Sequence, residues 1–217
     1  MSADDNLPNA DHRMTLHTIA ILGAGRVGST LGARFTAAGH TVHYGVRDPA
    51  SDKHANAALT LMSLADAAAN ADILVLTSAW AGAESTLKAA GDLRGKVLID
   101  ATNPIGPGMV LTHGTTDSGA EQVARWAPGA RVVKAFNSIG MEVMTNPLFA
   151  NGHSVLWLCG DDDDACDTTI SLARAIGFDP VRLGPLSRAR FIEPAALVWI
   201  TASAGLGREF SWGILRR

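Results

Sequence analysis

Three glycines occur at the spacing GxGxxG in the segment GAGRVG, which follows directly on the predicted strand Thr18–Leu22. In such a segment the first glycine permits a tight turn, the second lets the backbone approach a diphosphate, and the third lets a helix pack closely on a strand. The N-terminus of that helix offers free N–H groups and partial positive charge to phosphates. The segment therefore predicts a dinucleotide site formed by Gly23, Ala24, Gly25, Arg26, Val27 and Gly28.

The residue after the second predicted strand, Thr41–Val46, is Arg47 and not an acid. Sites for NAD place Asp or Glu there, about 20 residues past the glycines, to hold the ribose 2′-hydroxyl. Arginine suits a 2′-phosphate because its planar fork binds phosphate oxygens in a bidentate manner. We therefore expect NADP(H), with Asp48 pointing away from the ribose. The alternative is that Arg47 lies at the surface and stacks on the adenine, which leaves NAD(H) open.

Short apolar runs alternate with helical patterns through most of the chain. Five of these runs are short, rich in Val and Ile and bounded by turn signals, as is typical of buried strands in a parallel sheet. They are Thr18–Leu22, Thr41–Val46, Ile73–Thr77, Val97–Ala101 and Val132–Phe136. Helical patterns between them give a β-α-β-α order, which predicts a Rossmann-type, doubly wound parallel α/β sheet with right-handed crossovers.

The pattern changes after Asn137, and we place a domain boundary near residue 145. Residues 17–145 are expected to form the NADP-binding Rossmann domain. Residues 146–217 are expected to form a small C-terminal α/β extension that carries acceptor-site and dimerisation helices. The polar, acidic residues 1–16 have no apolar stretch, and we expect them to be a disordered tail.

Composition excludes several classes of protein. The chain has 217 residues, 47% of them hydrophobic, and a net charge of −3, which suits one α/β domain with a modest extension and does not favour nucleic acid as a partner. The apolar segment 195–206 is shorter than the roughly 20 residues that a membrane span needs. It predicts a helix that forms a homodimer interface, since one short domain leaves such a face uncovered. With Cys159 and Cys166 taken as reduced thiols, we expect a soluble, cytoplasmic protein.

Other groups of polar residues do not indicate a metal site or a catalytic nucleophile. The acidic run Asp161–Asp164 fits the start of a helix better than a metal site, so no metal is expected. His40 and His43 flank a strand and are expected at the surface. Ser78 and Ser138 have no evident base, so nucleophilic catalysis has no support.

Several segments together resemble the coenzyme F420-dependent NADP oxidoreductases, in which F420 is a deazaflavin. They are ILGAGRVGSTLGARFTAAGHTVHYGVRDP, ADILVLTSAW, GKVLIDATNPI, RVVKAFNSIG, LCGDDDDA and GFDPVRLGPLSRARFIEPAALVWI. The likeness covers residues 17–217. The cytoplasmic domain of the six-transmembrane metalloreductases is also similar, notably in KAFN.

The resemblance implies a position for each part of the cofactor. NADP would lie across Gly23–Gly28 with its 2′-phosphate near Arg47, and the backbone of Thr77, Ser78 and Ala79 would pass the diphosphate and ribose. Asn103, Pro104 and Ala135 would approach the nicotinamide, under a roof formed by the loop 105–116. Where some deazaflavin reductases carry histidine, this chain has Asn137, for which we expect an orienting role. The acceptor stays open between coenzyme F420, FMN, FAD and a quinone.

Three functions fit these features. The first is hydride transfer between NADPH and a flavin-like or deazaflavin acceptor, which needs little beyond the alignment of two rings. The second is an NADP-dependent dehydrogenase or imine reductase for small metabolites, although such enzymes generally add a large helical domain and a proton donor. The third is a non-catalytic NADP(H)-binding sensor, which would keep the same motifs. We favour the first.

Overall fold

The computed structural model describes residues 15–51 and 59–215. Most of the expected disordered tail, residues 1–14, lies outside this part of the chain, so that expectation stays a prediction. The strands are β1 (Thr18–Leu22), β2 (Thr41–Val46), β3 (Leu61–Ser63), β4 (Ile73–Leu76), β5 (Val97–Asp100), β6 (Ile105–Gly106), β7 (Val110–Leu111), β8 (Arg131–Lys134), β9 (Leu148–Phe149), β10 (Gly152–His153), β11 (Val155–Gly160) and β12 (Asp179–Arg182). The helices are α1 (Arg26–Ala37), α2 (Leu64–Ala69), α3 (Trp80–Ala90), α4 (Gly119–Trp126), α5 (Met141–Thr145), α6 (Asp163–Ala175) and α7 (Ala189–Leu206).

Eight strands form one sheet in the order β12-β11-β8-β5-β4-β1-β2-β3, in which only the β11–β8 pairing is antiparallel. The chain moves outward from β1 to β3 and then returns to place β4 on the other side of β1. This reversal is the switch point at which doubly wound sheets bind ligands, beyond the carboxyl ends of the strands. The predicted Rossmann-type α/β fold is confirmed. Because β11 and β12 extend the same sheet, residues 146–217 pack as part of it, and the boundary near residue 145 stays a prediction.

Each face of the sheet carries its own hydrophobic core. Successive strand residues point to opposite faces, so Ile19 and Ile21 pack with α1, α5 and α6, whereas Ala20 and Leu22 pack with α2, α3 and α4. Strands covered on both sides have no solvated face, which explains why they appear in the sequence as continuous apolar runs.

Polar side chains cap the N-termini of two helices, one of them in the acidic run Asp161–Asp164, which was predicted to start a helix. The Ser118 hydroxyl caps α4 by accepting from the Glu121 N–H, and Asp162 caps α6 by accepting from the Ala165 N–H. The prediction for His40 is wrong. Its side chain is 4% exposed and stacks on His17, and burial, together with His17, lowers its pKa.

The segment after α7 returns to the sheet and supports the turn after β8. The N–H of Val155, the first residue of β11, donates to the Trp212 carbonyl at 3.0 Å. The Trp212 indole N–H donates to the Ser138 carbonyl at 2.9 Å. Trp199 of α7 stacks on Phe210 at 5.2 Å between ring centres. The C-terminal segment that contains Trp212 thus stabilises the turn around Ser138.

Within the described residues, no helix is both long enough and apolar enough to cross a membrane.

Candidate active site

The glycine loop has the geometry that its sequence predicts. Gly23 has φ +122°, a left-handed conformation that favours glycine, and α1 begins three residues after it, directly after Gly25. A Cβ atom on Gly28 would fall on the Gly23 carbonyl oxygen and within 2.7 Å of Thr77 Oγ1, so this position packs helix against strand. A Cβ atom on Gly25 would meet no atom within 4 Å. Gly25 therefore leaves open space in front of the first turn of α1, where the diphosphate is predicted.

The end of β4 is tied to the glycine loop. The Thr77 hydroxyl donates to the Gly23 carbonyl at 2.9 Å, and the Thr77 N–H donates to Leu22 at 3.1 Å. Ser78 and Ala79 follow and line the same cleft as Gly23. The Ser78 hydroxyl is buried without a partner among the described residues, as expected of a group that awaits a ligand.

Next to the loop lies a cavity of about 850 Å³. Arg47 lines it, is exposed, and sits directly after β2, where the ribose-binding acid of an NAD site would be. Asp48 lines it as well, which differs from the expectation that it points away. One Asp48 carboxylate oxygen accepts from the Ala50 N–H at 3.1 Å, so this side chain closes the turn after β2. Space and an arginine are thus both present where the 2′-phosphate of NADP is predicted.

Beyond the carboxyl ends of β5 and β8, two asparagines are joined by hydrogen bonds. The Asn103 Nδ2 donates to the Asn137 carbonyl at 2.9 Å, and the Asn137 Nδ2 donates to Asn103 Oδ1 at 3.0 Å. The Asn137 Nδ2 also lies 3.4 Å from the Ile192 carbonyl of α7. Pro104 and Ala135 are buried beside the pair. The residues predicted for the nicotinamide therefore lie together beyond the carboxyl ends of β5 and β8.

Phe136 turns the backbone between these groups. Its φ is +63°, a left-handed conformation that is unfavourable for a bulky residue, and its ring is 1% exposed. The ring packs edge-on against Phe35 at 6.2 Å and Phe178 at 5.9 Å. Core packing thus holds a strained turn that directs Asn137 toward Asn103, and such strain is concentrated at functional sites.

A buried charge cluster below the asparagine pair was missed from the sequence. The Lys134 Nζ is fully buried, and it contacts Asp100 Oδ2 at 2.9 Å, Glu193 Oε1 at 3.0 Å and the Thr102 carbonyl at 2.6 Å. Burial alone lowers the pKa of Lys134, but the carboxylates of Asp100 and Glu193 outweigh it and raise that pKa above its ordinary value. Lys134 is therefore a cation with all three donors in use.

Glu193 joins this cluster to α4 and α7. Its two carboxylate oxygens accept from the Gly119 N–H at 2.8 Å and the Ala120 N–H at 3.0 Å, at the N-terminus of α4. The sequence contained one signal of the buried cluster. A charged residue ends each of two buried strands, Asp100 in VLID and Lys134 in RVVK.

The remaining predicted site residues also lie at this edge of the sheet. Arg26 begins α1 and is exposed, whereas Ala24 and Val27 are half-buried. The expected roof contains the hairpin β6–β7, whose tip exposes 52% of Met109 and 62% of Val110. Across residues 15–51 and 59–215, no group of three His, Cys, Asp or Glu side chains is arranged to hold a metal ion.

Comparison with known proteins points to one family. A sequence profile described as NADP oxidoreductase, coenzyme F420-dependent, matches residues 18–104. A crystal structure of a protein provisionally named an F420-dependent NADP-reductase, from Arthrobacter sp. FB24, is 33% identical, with a TM-score of 0.84. That match covers 92% of this chain and 100% of the other.

Two further matches extend the comparison. The structure of a hypothetical protein from Sinorhizobium meliloti is 32% identical over 80% of this chain and 87% of that one, with a TM-score of 0.69. Metalloreductase STEAP3 of Rattus norvegicus is 31% identical over 181 residues, which are 82% of this chain and 36% of the rat protein. The chain thus spans little more than a third of the length of the curated relatives that it matches.

Proposed function

This chain belongs to the family of coenzyme F420-dependent NADP oxidoreductases, and from that premise we propose that it transfers a hydride between NADPH and a planar flavin or deazaflavin acceptor. The candidate acceptors are coenzyme F420, FMN, FAD and a quinone. NADPH would supply the hydride, and the protein would supply alignment and a water-poor surface.

The observation that favours this reaction is that the buried lysine next to the asparagine pair is fully hydrogen-bonded. Lys134, which donates to the carbonyl of the residue before Asn103, has its three donors bonded to Asp100, Glu193 and the Thr102 carbonyl. It is therefore a poor proton donor. Direct hydride transfer between two stacked rings tolerates this arrangement, because positioning supplies much of the rate. Reduction of an imine or a carbonyl calls for a proton donor placed at the reacting bond, whereas a reduced flavin-type ring spreads the negative charge over the ring and can take its proton from solvent.

Different residues of the chain would bind the different parts of the cofactor. The N–H groups of the glycine loop, Gly23–Gly28, would bind the diphosphate, with Ser78 and Ala79 beside it. Arg47 would bind the 2′-phosphate. Asn103, Pro104, Ala135 and Asn137 would fix the nicotinamide so that one of its faces is open to the acceptor.

The acceptor is tested by mixing the purified protein and NADPH separately with coenzyme F420, FMN, FAD, a quinone and a ferric chelate. We expect rapid loss of NADPH absorbance with one flavin-like acceptor and slow loss with the others. If NADPH binds tightly and none of the five oxidises it, the hydride-transfer proposal fails in favour of an NADP(H) sensor.

Arg47→Ala is expected to weaken NADPH binding about ten- to a hundredfold and to leave NADH binding nearly unchanged, because one charge-assisted interaction with the 2′-phosphate is worth roughly 1.5–3 kcal/mol. Titration calorimetry with both nucleotides measures this preference. Since Asp48 lines the same cavity, Asp48→Ala is the matched control and should not reduce the preference for NADPH. Equal affinities of the unmodified protein for NADPH and NADH would contradict the assignment.

We also propose that α7 forms a homodimer interface with a second copy of the chain. The helix exposes 61% of Phe191, 57% of Val198 and 70% of Leu206, while Glu193 and Ala196 on its other side are buried. A helix with an apolar exposed face is typical of an interface. Light scattering at micromolar concentration should give a dimer mass, and Val198→Asp should give a monomer. A monomer mass for the unmodified chain would exclude this proposal.

A further inference from the structure

Asn137 carries a buried hydrogen-bonding atom that no described residue satisfies. Its side chain is 5% exposed, and its Nδ2 donates to Asn103 Oδ1 and approaches the Ile192 carbonyl. Its Oδ1 has no partner within residues 15–51 and 59–215. Buried polar atoms are nearly always paired, so an orphan beyond the carboxyl ends of β5 and β8, the edge at which doubly wound sheets bind ligands, marks the place of a ligand group or a trapped water.

The surrounding carbonyls determine which atom of the Asn137 amide is free. Turning that amide over would bring Oδ1 to the Ile192 carbonyl and to Asn103 Oδ1, both of which are acceptors. Asn103 cannot turn over to compensate, because its Nδ2 donates to the Asn137 carbonyl at 2.9 Å. The free atom of Asn137 is therefore an oxygen, and it needs a donor.

The backbone on both sides of this oxygen is fixed. Phe136, in its left-handed conformation, is packed into the core directly before Asn137. The Lys134 Nζ donates to the carbonyl of Thr102, the residue before Asn103, at 2.6 Å. Neither asparagine can therefore move far to find another partner. The unpaired oxygen is fixed in place by the fold.

Resting on the proposed function, we infer that Asn137 Oδ1 accepts a hydrogen bond from the carboxamide NH₂ of the nicotinamide ring. The carboxamide NH₂ carries two N–H donors, whereas a flavin-like acceptor offers one near its ring carbonyls, the ring N3–H. The bond to Asn137 makes the site selective for a dinucleotide with a primary amide. The same bond fixes the rotation of the carboxamide and, with it, the ring face that is presented for hydride transfer.

The test compares binding of oxidised cofactors and requires no turnover. We expect NADP⁺ and its thionicotinamide analogue, which both carry NH₂, to bind with similar affinity. The 3-acetylpyridine analogue of NADP⁺ lacks the N–H and should bind about tenfold more weakly, because the buried oxygen stays unpaired. The nicotinic acid analogue should bind more weakly still, since its carboxylate faces Oδ1. Titration calorimetry measures all four.

Asn137→Leu, which removes the oxygen at similar volume, should abolish the discrimination between NADP⁺ and the acetyl analogue. Asn70→Leu is the matched control, because it makes the same chemical change at an exposed position at the end of α2. It should keep the discrimination. Equal binding of NADP⁺ and the acetyl analogue to the unmodified protein would overturn the inference even if the acceptor experiment succeeds. Discrimination without any oxidation of NADPH would uphold it and reject only the proposed reaction.

Discussion

Gly25→Ala is expected to weaken NADPH binding roughly a hundredfold, because a methyl group would stand between the first turn of α1 and the diphosphate and would break two charge-assisted hydrogen bonds. The free energy of unfolding should change by less than about 0.5 kcal/mol, because Gly25 has φ −76°, which alanine adopts readily, and its Cβ would meet no atom within 4 Å. Titration calorimetry and urea denaturation of the cofactor-free protein measure the two effects.

Gly28→Ala is the matched control, since it makes the same chemical change three residues further along. There the new methyl group meets the Gly23 carbonyl and Thr77, so stability should fall by about 1–3 kcal/mol with or without cofactor. If Gly25→Ala binds NADPH as well as the unmodified protein does, the diphosphate does not lie on this loop.

Lys134→Met should lower the free energy of unfolding by about 3–5 kcal/mol, because it leaves the carboxylates of Asp100 and Glu193 buried without their cation. Lys88→Met is the matched control. Lys88 pairs with Glu84 on the surface of α3, and the loss of that pair should cost less than about 0.5 kcal/mol. Urea denaturation at neutral pH compares the two variants, and similar losses would show that the buried cluster contributes little.

The cluster also predicts a dependence of stability on alkaline pH. The folded-state pKa of Lys134 is raised above its ordinary value of 10.5. The stability that comes from its pairing is therefore complete below that value and is lost as the pH rises through the higher folded pKa. The unmodified protein should lose stability more steeply than Lys134→Met over this alkaline range, and parallel curves for the two proteins would contradict the assignment.

The sequence predicted the features that depend on local patterns. The strands Thr18–Leu22 and Thr41–Val46 match the observed β1 and β2 because both are apolar runs bounded by turns, and the packing role of Gly28 follows from its spacing. By contrast, β3 and the hairpins were missed, since two or three residues are too few to show a period.

The parts of the site that depend on distant contacts could not be predicted. The left-handed conformation of Phe136 is imposed by packing against Phe35 and Phe178, and nothing in its immediate sequence favours it. Lys134 likewise finds its two carboxylates on β5 and α7. Each of the three charged residues taken alone resembles a surface residue, and only the folded sheet shows that they neutralise one another.

The hydrogen bond from the Trp212 indole to the Ser138 carbonyl has a consequence for the order of events during synthesis. Ser138 is the neighbour of Asn137, and the two bonded residues are 74 positions apart. A ribosome adds roughly 5–20 residues per second, so about 4–15 s pass between the emergence of Asn137 and the arrival of the residue that supports its turn. During that interval the strands from β1 to β8 can pair on the nascent chain, while the turn that carries Asn137 still lacks one of its supports. The cavity beside the glycine loop, which is lined by residues between Gly23 and Thr86, is synthesised first.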